Sequence, residues 1–480
     1  MRSFRVGFAL IIAGGIRLSL RLLGKGATAL PGKIAVKIAP RFIREMASGC
    51  DIITVTGTNG KTTTTHMISE SLRKSGYYVA TNVSGANLSS GIATTFAQEL
   101  RPVRRAVSKG LKPVYVLEID EAAFAKVAGD LSPKVCVVTN LFRDQLDRFG
   151  ELLYTRDCIE KGLDMTDALI LLNADDSMIA ALRKNRESRT EFYGVDERSM
   201  TRNNVTDTVA SRALPASSDA EYCLSCKRKY EYGARSFGHF GTYSCSSCGD
   251  TRQEPQQSVY FDPTKSSSDP GLPLVFQGKD YSVEGVLPIP GSHNIYNAAA
   301  AFAACTSFGK IIGDPKLSPI QVAAALSEVQ PAFGRMEKIR VGDKSFCILL
   351  VKNPVGLDRA LSMVASASDA DGMYLLLNSN IADGTDVSWI WDVDFESKTM
   401  PDKLYVSGER FGDMLLRLIY SGVDTNQLRY ASMSEAFVLF EEALSACEPG
   451  KCLYVLPNYT SMLALRKFLV GKYRLKDFWR

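Results

Sequence analysis

Several things are scarce in this 480-residue sequence, and each scarcity removes a class of protein. Near the start a long hydrophobic run is missing: the longest there, Val6 to Ile16, is too short to cross a bilayer. Arg2 and Arg5 precede it and Ala27-Thr28-Ala29 follow, a faint likeness to a secretory signal. Arg17 and Arg21 continue a helical period, so the segment reads as an amphipathic helix packed on its own domain. Charge of one sign is also lacking. A net +5 over this length permits contact with anionic headgroups but gives no argument for nucleic acid. Internal repeats and long low-complexity tracts are absent, which removes repeat architectures. Histidine is limited to His66, His239 and His293.

What remains is an ordinary globular composition, 45% hydrophobic and 23% charged, long enough for two or three domains. Its clearest feature is Thr56-Gly57-Thr58-Asn59-Gly60-Lys61-Thr62-Thr63-Thr64. The apolar run Ile52–Val55 precedes it, and a segment with helical spacing, His66 to Leu72, follows. Strand, glycine turn and helix together are the context a phosphate-binding loop requires. Small residues let backbone N–H groups approach phosphate oxygens, and the helix start adds partial positive charge. Lys61 would neutralise the β- and γ-phosphates, and the Thr62 hydroxyl can ligate Mg²⁺. The spacing departs from the standard P-loop, with Val55 where a glycine is usual.

Residues 51–175 alternate strand and helix signals, which predicts an open α/β sheet. Val114–Glu118, Val135–Asn140 and Ala168–Asn173 read as buried parallel strands ending in polar residues. In such sheets ligands sit beyond the carboxyl ends of the strands, where Gly57–Thr62, Glu118, Asn140 and Asn173 would gather. Further on, Cys223-x-x-Cys226 and Cys245-x-x-Cys248 are separated by eighteen residues, the spacing of a Cys₄ zinc ribbon. Four thiolates leave no open coordination position, so this zinc is expected to be structural. His239, between the knuckles, reads as a packing or hydrogen-bonding residue. Seven further cysteines are scattered singly, several in apolar runs, as in a reducing compartment. Residues 255–290 carry Pro, Ser and Gly, and Gly291 to Asn297 then open an Ala-rich helix, with the Asn294 and Asn297 amides three apart. A second α/β unit begins near residue 345. Within it, Asp383, Asp386, Asp392 and Asp394 surround Trp389 and Trp391 in one short segment.

The phosphate loop, Glu118, Asn173-Ala174-Asp175-Asp176, Gly291 to Asn297 and Gly334-Arg335-Met336-Glu337 resemble, in this order, the Mur ligases. The Cys₄ insertion, Val351 to Gly356, Asp383 to Asp392 and Leu456 to Thr460 are similar to the MurT-type branch across nearly the whole chain. The resemblance implies three parts: an N-terminal helical segment at 1–49, a Mur ligase-like ATP-binding domain at 50–335 with the ribbon inserted at about 220–252, and a C-terminal α/β domain at 336–480. It implies ATP-dependent amidation of the D-glutamate α-carboxylate of lipid II to D-isoglutamine through an acyl-phosphate. ATP would contact Gly57, Thr58, Asn59, Gly60, Lys61, Thr62, Thr63, Asn173, Asn294 and Asn297. Thr62 and Glu118 would hold magnesium, and Arg335 would lie near the phosphates. Where family members carry Asp-His-Leu-Asp this chain has Asp144-Gln145-Leu146-Asp147, which puts a second magnesium in doubt.

The same resemblance places all three histidines outside a glutaminase site, so ammonia is expected from a GatD-like glutamine amidotransferase subunit that brings Cys and His. MurT-type chains lend that site an acidic residue. Asp392 is the first candidate, then Asp386 and Asp383. The chain is expected in the cytoplasm, peripheral at the inner membrane face through lipid II. Two alternatives stand beside this reading. An amino-acid-adding Mur ligase would usually carry a UDP-binding domain, where about fifty residues precede the loop here. A zinc-ribbon nucleic-acid-binding ATPase would need a basic face that the composition does not show.

Overall fold

The structure is a computed structural model that describes residues 3–22, 28–82, 85–142, 152–202, 220–236, 238–262, 271–289, 291–330 and 335–473. The chain forms two compact units, the first from residues 1–141, 152–213 and 220–330, the second mainly from residues 331–480.

The first unit opens with α1 (Phe4–Leu22), α2 (Leu30–Ile38) and α3 (Phe42–Ala47). Then β1 (Asp51–Thr56), α4 (Lys61–Lys74), β2 (Tyr78–Thr81), α5 (Ser89–Ser108), β3 (Pro113–Glu118), α6 (Glu121–Leu131), β4 (Val135–Val138), α7 (Leu152–Asp164), β5 (Leu169–Asn173), α8 (Ser177–Ala180) and β6 (Thr190–Val195) alternate. β1 to β6 pair in parallel in the order β6-β5-β4-β1-β3-β2. All four residues of β4 are buried, and β1 and β3 are buried along nearly their whole length. Helices cover both faces, which is why these strands read as continuous apolar runs. The chain reaches β2 at the edge, returns to β3 beside β1, then crosses to β4 on the other side of β1. The sheet therefore switches direction at β1, and ligand crevices form at such a switch.

A small sheet of β7 (Thr201–Arg202), β8 (Glu231–Arg235) and β9 (Gly241–Ser244) carries the cysteine knuckles. Residues 255–290, which carry Pro, Ser and Gly, contain β10 (Gln257–Tyr260), β11 (Leu272–Gly278) and β12 (Tyr281–Leu287). β10 joins β6 in parallel, and β11 and β12 extend the sheet antiparallel. α9 (Ser292–Ile312) and α10 (Pro319–Leu326) close the unit. α9 is long and apolar enough to cross a membrane but is largely buried, a core helix.

The second unit is another α/β sheet, with β13 (Arg335–Val341), β14 (Lys344–Leu349), α11 (Pro354–Ser366), β15 (Ala370–Leu376), β16 (Lys403–Ser407), α12 (Phe411–Tyr420), β17 (Leu428–Tyr430), α13 (Ala436–Ala446), β18 (Cys452–Pro457) and α14 (Tyr459–Tyr473). The order is β13-β14-β18-β15-β16-β17, parallel except for β13. Alternate residues feed two cores: Cys347, Leu349, Met373 and Leu375 on one face, Phe346, Ile348, Tyr374 and Leu376 on the other.

Candidate functional site

The phosphate loop turns at β1 because two of its residues must be glycine. Gly57 has φ +115°, and a Cβ there would meet Thr139 Oγ1 at 2.4 Å and the Asn140 carbonyl oxygen at 2.8 Å. Gly60 has φ +82°, and its missing Cβ leaves room for Asn297 Oδ1, which would otherwise lie 2.2 Å away. The strand end of β4 holds the loop from the other side. Thr58 N–H donates to the Asn140 carbonyl (2.8 Å) and Asn59 N–H to Asn140 Oδ1 (2.8 Å), while Asn140 Nδ2 and Thr139 Oγ1 donate to the Asn59 carbonyl (2.9 and 2.8 Å). Lys61 then starts α4, so the first turn of that helix, with its N-terminal N–H groups, directly follows the loop.

Lys61 is buried, and its Nζ donates to Gly57 O (2.5 Å), Thr58 O (3.2 Å) and Glu121 Oε1 (2.9 Å). Burial alone would pull the ammonium down, but Glu121, Glu118 and Asp120 outweigh it and hold Lys61 above the ordinary lysine range. Glu118, also buried at the end of β3, accepts from Asn87 Nδ2 at 3.3 Å. Glu121, the nearest carboxylate to Lys61, was not among the sequence candidates. It is the first residue of α6, behind an Asp120 that caps the helix through Ala122 N–H and Ala123 N–H, where an acid has a local role in the helix start.

The other candidates fall in distinct places. Thr62 is half-buried on the first turn of α4, and Thr63 is buried. Asn297 donates from Nδ2 to Asn294 Oδ1 (2.9 Å) and accepts from Thr64 Oγ1 (3.3 Å), so this amide pair sits against the loop. Asn173 is fully buried at the end of β5, two strands from β1, its amide taken up by Asp175 N–H and the Thr139 carbonyl. The side chain of Arg335 and the segment Asp144-Gln145-Leu146-Asp147 lie outside the described residues. Asp392 belongs to the second unit, where it is exposed at the end of a short 3₁₀ turn, Ser388–Asp392. Asp386 is exposed nearby, whereas Asp383 is buried and caps α14 through Thr460 N–H at 2.8 Å.

The four knuckle cysteines converge, all Sγ atoms lying within 4.8 Å of one another. The knuckles are built alike. Lys227 N–H donates to the Cys223 carbonyl and Gly249 N–H to the Cys245 carbonyl, both at 2.9 Å, and both donors are left-handed, with φ +61° and +75°. Burial opposes ionisation of Cys223, but the N–H groups of Cys226 and Ser225 bring its thiol down to about 7. Such a cluster can hold one metal ion.

This module is seated on the nucleotide domain through residues the sequence did not connect. His239 is completely buried, with Nε2 3.3 Å from Asp176 Oδ1. Asp176 caps α8 and accepts from Leu141 N–H at 3.0 Å, one residue beyond the Asn140 that holds the phosphate loop. Arg252 Nε donates to Asp175 Oδ1 at 2.7 Å, and the Phe240 ring meets Tyr296 edge-on at 5.0 Å. A continuous line of contacts thus runs from the cysteine module to Thr58 and Asn59.

Residues 55–305 match the Mur ligase middle domain family, and residues 350–462 match the MurT ligase C-terminal family. The lipid II isoglutaminyl synthase (glutamine-hydrolyzing) subunit MurT of Streptococcus pneumoniae is 32% identical over 458 residues, covering 94% of each chain. The subunit of the same name from Staphylococcus aureus is 30% identical, covering 95% of each. Among solved structures, a pseudomurein peptide ligase type C from Methanothermus fervidus (TM-score 0.63, 18% identity) covers 92% of this chain and 84% of its own. MurF from Acinetobacter baumannii (TM-score 0.63, 17% identity) covers 92% and 81%. These two likenesses concern the fold, which is that of Mur ligases. The chain belongs to the MurT family, a branch of the ATP-dependent Mur ligases.

Proposed function

We propose that this chain amidates the D-glutamate α-carboxylate of lipid II to D-isoglutamine, using ATP and ammonia released from glutamine by a GatD-type partner. The observation that carries the reading is a phosphate loop with a buried, charged Lys61 among three acids, in a chain whose relatives bear that activity by name. The substrate carboxylate oxygen would attack the γ-phosphorus with departure of ADP. Ammonia would then attack the acyl carbon, and phosphate would leave with the former carboxylate oxygen. Charge accumulates on the transferring phosphate, and fixed cations and N–H groups at that point lower the barrier. Lys61 and the N-terminal turn of α4 would do that work. Thr62 and Glu118 fit a magnesium ion as a hydroxyl and a carboxylate at neighbouring strand–helix junctions; bound there, it supplies further charge neutralisation.

The cysteine cluster fits zinc. Metal–sulfur bonds of ~2.3 Å in a tetrahedron give sulfur–sulfur edges of about 3.8 Å, and Cys223–Cys248 and Cys226–Cys245 lie at 3.6 and 3.3 Å.

For the partner we propose the second unit. Asp392 follows Trp391, an exposed ring packed edge-on against exposed Tyr420 at 5.6 Å. Arg417 fixes the turn below by donating to the Ile390 and Val393 carbonyls (3.2 and 2.6 Å). An exposed aromatic pair beside a carboxylate on a braced turn suits a docking partner that needs an acid.

Lipid II, ATP and ammonium incubated with the chain should give ADP and amidated lipid II in equal amounts. Parallel reactions offering single amino acids in place of ammonium should give no adduct by mass spectrometry. An amino-acid adduct without amide would replace this reading with amino-acid ligation.

A further inference from the structure

α1 carries a row of large apolar side chains on the outside of the first unit. Phe4, Phe8, Ile11, Leu18 and Leu22 are 91, 48, 73, 62 and 81% exposed. At 3.6 residues per turn these positions fall within an arc of about 80°. The opposite side of the helix is packed: Val6, Ala9 and Ala13 are buried. Ser3 fastens the start of α1 to α3, its N–H and Oγ donating to the Glu45 carboxylate at 2.7 and 2.9 Å. The helix is therefore docked on one side and apolar on the other. Solvated helix faces are ordinarily polar, and contiguous exposed apolar rows mark contact surfaces.

Charge identifies the partner. The first 44 residues hold nine lysines and arginines and not one carboxylate. Arg5, Lys33, Lys37 and Arg41 are exposed. A protein partner would be met with both signs of charge. An apolar stripe on a helix of low polarity, in a segment with nine cations and no acid before Glu45, has the composition of a helix that lies in the headgroup region of an anionic bilayer. A 19-residue helix gives a contact line of about 28 Å along that surface.

We propose that α1 rests in the plane of an anionic phospholipid membrane, with Phe4, Phe8, Ile11, Leu18 and Leu22 below the headgroups. The chain then holds the membrane directly and not only through a lipid-linked substrate. The proposed amidation supplies a reason for such a contact but not its evidence, so the test uses vesicles without lipid II.

The full chain is floated with vesicles of phosphatidylglycerol and phosphatidylcholine, and separately with phosphatidylcholine alone. Phe8→Glu and Ile11→Glu alter exposed positions remote from the phosphate loop, so melting temperature and ATP turnover serve as controls for folding. The expected result is at least about tenfold tighter binding to the anionic vesicles, weakened by salt, with at least about a tenfold loss in each variant. Wild-type protein that stays off anionic vesicles, or variants that float equally well, would overturn the proposal. Equal flotation with a change from dimer to monomer in the variants, or with loss of a co-expressed partner, would assign the stripe to a protein interface instead. Absence of lipid II amidation would leave the flotation result standing, so the two readings fail separately.

Discussion

Lys61 reaches the phosphate loop already paired, and this shapes what its removal does. It and Glu121 are both buried, so deleting either leaves the other charge without its nearest counterion. Lys61→Ala and Glu121→Gln are each expected to cost about 3 kcal/mol in urea unfolding, and the double variant clearly less than their sum. Additive losses would show that the pair is not coupled. For activity the two should differ: Lys61→Ala should lower ATP turnover by about 10²–10³-fold, because it removes the cation proposed to meet the transferring phosphate. The pH dependence follows from the direction of the Lys61 shift. Burial lowers it, the surrounding acids more than compensate, and the group sits above the ordinary lysine range. Its contribution to stability is complete below that ordinary range and is lost only as pH rises through the raised value. Between about pH 6 and 9, ADP affinity measured by calorimetry should show no step that disappears in Lys61→Ala.

At the scale of elements, the cysteine module is expected to act as a brace on the nucleotide loop. One zinc per chain should be found by elemental analysis, and Cys226→Ser should lose it and lower the melting temperature. His239→Ala should cost about 1–3 kcal/mol and speed hydrogen exchange at Leu141 and in the loop beyond Gly57. Unchanged exchange there would mean that the module is merely attached. This brace was not legible in the sequence. The four cysteines announce themselves by spacing, but nothing about His239 points to Asp176, since the contact is made only when β8 and β9 fold onto the β5–α8 turn. The strands β1, β3, β4 and β5 were legible because burial on both faces makes their sequences continuous apolar runs. β11 and β12 were not. One side of β12 is exposed, and Pro273, Gly278 and Gly285 interrupt the alternation that would have marked the hairpin. Glu121 escaped for a different reason, since an acid on the first turn of a helix already has a local explanation.

Across the whole molecule, the proposed chemistry is divided between two units that each carry their own sheet. The nucleotide loop belongs to the first, and Asp392 to the second. The two functions should therefore separate genetically. Asp392→Asn should leave amidation with ammonium within about twofold of wild type while abolishing glutamine-dependent amidation by the complex. Asp386→Asn behaving in that way instead would move the role to Asp386. The measurement that bears most directly on the account is the mass of lipid II after incubation with the chain and ATP, first with ammonium, then with glutamine, with and without a GatD-type subunit. The account predicts the mass change of a carboxylate converted to an amide with ammonium alone, and with glutamine only when the subunit is present. Sustained ATP hydrolysis with lipid II unchanged under every condition would contradict it.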